Sequence, residues 1–188
     1  MAGKDTYAKQ AQNCVCNITL RDLDICKTTP PFIGTEHKVS AEVYQQLVLY
    51  TPSRESNLGT KISERLKKHI DELVNEIMKG LDLKHCYAFS AYEPKKPDKT
   101  DLRKTVTSQT EPYILLNCSS GFAEALFASI RNALAHGNIL KSGNYFYLYA
   151  LAKEKQQTND TDKKLSFLLK VYRLDKLGAY IDAFKKYN

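Results

Sequence analysis

Three residues close together in the chain have the side chains for acid–base and phosphate chemistry: Arg131, Asn132 and His136, within Ser129-Ile130-Arg131-Asn132-Ala133-Leu134-Ala135-His136-Gly137-Asn138. An imidazole exchanges protons near neutrality and can act as a general acid. A guanidinium stays cationic and can contact two phosphate oxygens at once, stabilising charge as it develops in a transition state. An amide such as Asn132 can hold either the imidazole or a phosphate oxygen by hydrogen bonds. RNA brings its own nucleophile, the 2′-hydroxyl, so these groups could promote strand cleavage without a metal.

The element that must position them is a helix. Ser119 or Ser120 can cap its start, Glu124 lies in the dipole-favoured first turn, and Gly137 supplies the left-handed residue that ends it just after His136. At about 100° per residue, Phe122, Leu126, Ile130, Ala133 and Leu134 gather on one arc, the face that enters a core. Glu124, Ala128, Arg131, Asn132, Ala135 and His136 share the other arc. Asn132 and His136 stack one turn apart, whereas Arg131 lies about 140° round from His136, too far for a simple pair. The two alanines between them suit the close approach of a second helix. Read without function, Arg131 is an ion-pair partner for Glu124 or Asp175, Asn132 a helix-surface residue and His136 a favourable C-terminal cation.

The run Arg131-Asn132-Ala133-Leu134-Ala135-His136-Gly137 resembles the Arg-x4-His signature of the HEPN superfamily, including the asparagine directly after the arginine. A looser likeness in layout runs from Ser119 onward: helix, motif, hairpin, final helix. The resemblance implies a mainly α fold, a HEPN-like helical bundle with a peripheral β-hairpin near the C-terminus. It also implies a homodimer in which two copies of the motif helix form one composite site, with Arg131, Asn132 and His136 of each chain as catalytic residues and Ala128 and Ala135 permitting close approach. The implied activity is metal-independent endoribonucleolytic cleavage leaving a 2′,3′-cyclic phosphate and a 5′-hydroxyl, as in toxins and defence effectors held by an antitoxin or regulatory protein. The alternative is a HEPN-like module that binds RNA, a nucleotide or a protein without chemistry. One branch of the family has a tyrosine two residues after the histidine, the target of a modifying partner. Here that position is Asn138, which argues against that route of control.

The remaining composition fits a single domain over residues 1–188. A net charge of +7 favours polyanionic partners such as RNA. Nothing approaches the apolar length of a membrane span or the core of a signal peptide, so a cytoplasmic location is expected. Five cysteines, an odd number, show no disulfide framework. Neither Cys14, Cys16 and Cys26 nor His85-Cys86 completes a tetrahedral metal set, so no metal and no cofactor is expected.

Along the chain, residues 5–20 suit a helix or a strand, with helix favoured, and Pro30-Pro31 interrupts regular structure. Helices are expected over residues 40–50 and 61–79, the second capped by Thr60 and stopped by Gly80, with His69 as a packing or surface residue. A short strand is expected over 86–92, an exposed basic loop over 93–104, and an apolar run over 113–117. A turn at 141–144 should lead to a hairpin of residues 145–149 and 165–172, in which Tyr145, Tyr147 and Tyr149 share one face and Phe146 and Leu148 the other. That tyrosine row could stack unpaired bases, though ordinary sheet surface is the favoured reading. A closing helix should turn Leu174, Leu177, Ile181 and Phe184 inward.

Overall fold

The computed structural model describes residues 18–23, 68–89, 102–118, 122–152 and 162–187. The helix expected over 40–50, residues 61–67, residues 93–101 and the caps at Ser119 and Ser120 lie outside them. The described chain contains a 3-10 turn at Arg21–Leu23, helices α1 (Ile70–Gly80), α2 (Leu102–Thr107), α3 (Phe122–Ala135) and α4 (Leu177–Tyr187), and strands β1 (His85–Phe89), β2 (Tyr113–Asn117), β3 (Ile139–Ser142), β4 (Tyr145–Leu151) and β5 (Leu165–Val171).

The five strands form one mixed sheet in the order β1-β2-β5-β4-β3, which overturns the mainly α, HEPN-like bundle expected from the sequence. β1 and β2 are parallel, with α2 in the crossover, and the other neighbours are antiparallel. The hairpin expected at the periphery is the sheet's interior instead: β5 is its central strand, hydrogen-bonded to β2 on one side and β4 on the other. Its composition explains this placement. Leu-Ser-Phe-Leu-Leu-Lys-Val is a nearly continuous apolar run, as a strand covered on both faces requires. Leu165 pairs with Leu151 and Phe167 with Ala150, leaving Ser166 as an extra residue; its hydroxyl donates to the Ala150 carbonyl (3.1 Å).

One face of the sheet, with Ile114, Leu116, Phe146, Leu148, Phe167, Leu169 and Val171, packs against α1, α3 and α4. The opposite face carries Tyr113, Leu115, Tyr147, Tyr149, Leu165 and Leu168, beneath Leu102 and Val106 of α2 and Ile18 and Leu20. The alternation expected for residues 145–149 is present. Its tyrosine side is not open surface, however, since Tyr147 and Tyr149 are buried under this second layer. At residues 18–20, where helix was favoured over strand, the chain makes a strand-like contact instead: Thr19 bridges Lys164, and the Leu165 N–H donates to the Ile18 carbonyl (2.8 Å) before Leu20 enters a turn. Arg103 and Lys104, assigned to the basic loop, belong to α2, and Arg103 pairs with Asp22.

That ion pair closes a small polar latch. The Asp22 carboxylate accepts from the Thr19 N–H (2.9 Å) and the Thr19 hydroxyl (3.0 Å) as well as from Arg103. Burial pushes the Asp22 carboxyl up, but these donors outweigh it and hold the group below its ordinary value. A carboxyl depressed in the folded state stabilises above its unfolded pKa and loses that contribution as pH falls through the folded one. Asp22→Asn should therefore lower stability by about 1–2 kcal/mol at pH 6. The gap between wild type and variant should begin to narrow only below about pH 4 and close as the pH falls further, as followed by chemical denaturation over a series of pH values.

Gly80 is the last residue of α1, but its importance is not as a stop. The left-handed position past the helix is taken by Asp82 (φ 53°). A Cβ on Gly80 would stand 2.4 Å from the Cβ of Ala179, a rigid atom on α4, so glycine lets the two helices meet. Gly80→Ala should destabilise the protein by about 1–3 kcal/mol despite the better helix propensity of alanine. Ala179→Gly in the same chain should restore part of the loss in a thermal melt.

Candidate active site at the end of helix α3

Helix α3 buries Phe122, Leu126, Ile130, Ala133 and Leu134, the five residues expected to face inward, together with Ala125 and Phe127. Phe127 packs on the ring of Tyr180 from α4 (4.8 Å between centroids). On the outward arc, Ala128, Arg131 and Asn132 are half-buried, and Ala135 and His136 are exposed. Two hydrogen bonds end the helix: Gly137 N–H donates to the Leu134 carbonyl (3.1 Å) and Asn138 N–H to the Ala133 carbonyl (2.8 Å), with Gly137 at φ 62°. This pair of bonds is a Schellman motif with glycine at C′, as the sequence suggested. It places His136 at the C-cap, and the chain then turns directly into β3, where the Tyr149 N–H donates to the Asn138 carbonyl (3.1 Å).

Arg131 and Asn132 are brought together: Arg131 Nη1 donates to Asn132 Oδ1 (3.2 Å). Arg131 Nε is buried without a hydrogen-bond partner among the described residues. Asp175, one of the two carboxylates considered as its partner, instead holds Arg173 in a two-point pair (2.6 and 3.0 Å). The side chain of Glu124, the other, lies outside the described residues. His136 is linked to Asn132 only through the backbone, its N–H donating to the Asn132 carbonyl (3.0 Å). Its ring makes no hydrogen bond or ion pair among the described residues. A single chain thus presents an arginine–asparagine pair and, one turn on, a solvent-facing imidazole, without joining arginine to histidine.

The other residues singled out have structural partners. His69 sits on the surface against Glu72 (3.1 Å). His85 faces Glu111 (3.3 Å), and burial pushes the thiol of neighbouring Cys86 up to about 12, the behaviour of an inert core cysteine. Cys14, Cys16 and Cys26 lie outside the described residues. No described helix is long and apolar enough to cross a membrane.

A second polar cluster went unnoticed in the sequence. Lys170 of β5 is 6% exposed, and its ammonium donates to the carbonyls of Gln109 (2.9 Å) and Thr110 (3.1 Å). It lies 4.1 Å from the centre of the Tyr145 ring, and burial lowers its pKa. Tyr145 donates to the Thr110 carbonyl (2.7 Å) and stacks on Tyr172 (4.7 Å between centroids, 30° between planes), with the two hydroxyls 3.1 Å apart. The hydrogen bond with Tyr172, reinforced by burial, pushes Tyr145 up to about 12. The available signal was one lysine inside an apolar strand, which must find acceptors.

Compared with protein-family models, with curated proteins and with solved structures, the chain matches none.

Proposed function

We propose that the end of α3 carries HEPN-type chemistry on a mixed α/β scaffold, making the protein a metal-independent endoribonuclease. The observation that carries this reading is the outward trio: a cation with a buried, unpartnered Nε, an asparagine bonded to it, and an imidazole held in solvent by the helix cap. In the reaction the 2′-hydroxyl attacks the adjacent phosphorus and the bond from phosphorus to the 5′-oxygen breaks. A 2′,3′-cyclic phosphate and a 5′-hydroxyl remain. His136, as imidazolium, delivers the proton to the departing 5′-oxygen. Arg131 stabilises the charge gathering on the phosphorane oxygens, and Asn132 keeps the guanidinium in place.

Because one chain sets Arg131 and His136 apart, the site is composite. Two copies of α3 meet across a two-fold axis along Ala128 and Ala135, and the second chain's imidazole accepts the 2′-hydroxyl proton. A two-fold interface is self-complementary, so one sequence supplies both halves. A toxin or defence effector restrained by a protein partner, acting in the cytoplasm, is the setting this chemistry fits. Incubating the protein with a mixed RNA pool in EDTA and mapping the new ends tests the reading: cyclic phosphates opposite 5′-hydroxyls are expected. The separation of Arg131 from His136 in one chain favours a second reading, an RNA-binding module without chemistry. Intact RNA after long incubation, with salt-sensitive binding, would establish that one instead.

A further inference from the structure

We propose that the stacked rings of Tyr145 and Tyr172 form a platform on which a base of single-stranded RNA stacks, which rests on RNA being the ligand of this protein. Tyr172 is 46% exposed, the one large apolar side chain so open among the described residues. An exposed tyrosine is ordinarily mobile and carries no message. This one is held: one ring face lies on Tyr145, its hydroxyl meets the Tyr145 hydroxyl, and Tyr145 is fixed in turn by the Thr110 carbonyl and by the Lys170 ammonium against its ring. A ring fixed before binding loses little conformational entropy when a planar ligand covers its open face. Every nucleobase has such a face, so a pre-set tyrosine is tolerant of sequence.

The net charge of the protein suits a phosphate chain, while at the platform itself the Glu111 carboxylate acts on Tyr145. The protein as a whole carries +7, and beyond Tyr172 the exposed Arg173 and Lys176 continue the chain, with Asp175 paired to Arg173. Tyr145 belongs to the sheet face beneath α2, opposite the face that packs on α3, so the platform is a contact separate from the α3 site.

The test measures binding of a fluorescein-labelled oligodeoxyadenylate, which lacks the 2′-hydroxyl and cannot be cleaved by this chemistry, beside an abasic strand of the same length. Tyr172→Ala should weaken oligodeoxyadenylate binding about tenfold, leaving the abasic strand and the melting temperature unchanged. Tyr172→Leu, which keeps an apolar contact with Tyr145 but has no π-face, should behave like alanine, and Tyr172→Phe should bind within about twofold of wild type. Unchanged affinity in Tyr172→Ala, or an equal loss on the abasic strand, overturns the platform. Wild-type cleavage of RNA with binding indifferent to Tyr172 refutes the platform and spares the nuclease. Binding that depends on Tyr172, with RNA left intact, does the reverse.

Discussion

His136→Ala is expected to abolish EDTA-resistant RNA cleavage, with a fall of about 10²–10⁴-fold, the contribution of a positioned general acid. Arg131→Ala should cost about 10²–10³-fold through lost stabilisation of the phosphorane. Neither change should unfold the protein. His136 is exposed, and its backbone, not its ring, takes part in the helix cap, so alanine leaves both cap bonds from Gly137 and Asn138 in place. Arg131 is half-buried, and truncating it gives up the Asn132 hydrogen bond but also removes a buried Nε donor without a partner among the described residues, two effects on stability that offset each other. Circular dichroism and the melting curve of each variant should therefore track wild type while cleavage is lost. The composite site adds a sharper expectation. Mixing the two inactive variants should not restore activity, because a heterodimer holds only one of the two imidazoles that the proposed site uses as acid and as base. Cleavage persisting in either single variant would remove that residue from the chemistry.

The second large effect is on stability. Leu168→Ala and Leu169→Ala should each cost about 2–5 kcal/mol, although the two side chains point to opposite faces of β5. Leu168 is fully buried in the layer beneath α2 and Ile18, and Leu169 is fully buried against the α1, α3 and α4 layer. For a chain of this length each kcal/mol lowers the melting temperature by about 2–4 °C. A hairpin lying on the outside of a helical bundle would bury one of these leucines and leave the other tolerant. Equal, large losses at both positions thus report a central strand, and a near-neutral Leu168→Ala would contradict the sheet order.

Local pattern made much of α3 legible. A 3.6-residue periodicity names the buried arc, and a glycine able to adopt φ 62° names the stop, because both depend on residues within a turn or two of each other. The strands at 145–151 and 165–171 were readable for the same reason, as was the division of Tyr145, Tyr147 and Tyr149 from Phe146 and Leu148. The short β3 was not anticipated. It follows the helix cap at once and shares its Ser142 with the two-residue turn at Gly143 and Asn144, so turn signals cover half of it.

What lay beyond the local pattern was the pairing. That Tyr113–Asn117 joins Leu165–Val171, some fifty residues on, makes β5 central and the described chain a mixed α/β sheet, yet neither segment records its partner. An apolar run says that both faces are covered without saying by what. Side-chain burial at Tyr147 and Tyr149, the packing that makes Gly80 necessary, and the set of acceptors around Lys170 follow from the same distant contacts. The sequence by itself determined which residues turn outward at the end of α3 and how that helix stops, since those are matters of spacing along one helix. Tertiary structure alone decided that this helix rests on a five-stranded sheet and that one row of tyrosines is buried except at its end. Hydrogen bonds between strands and the burial of their faces are settled by segments far apart in the chain, whose mutual fit no single segment encodes.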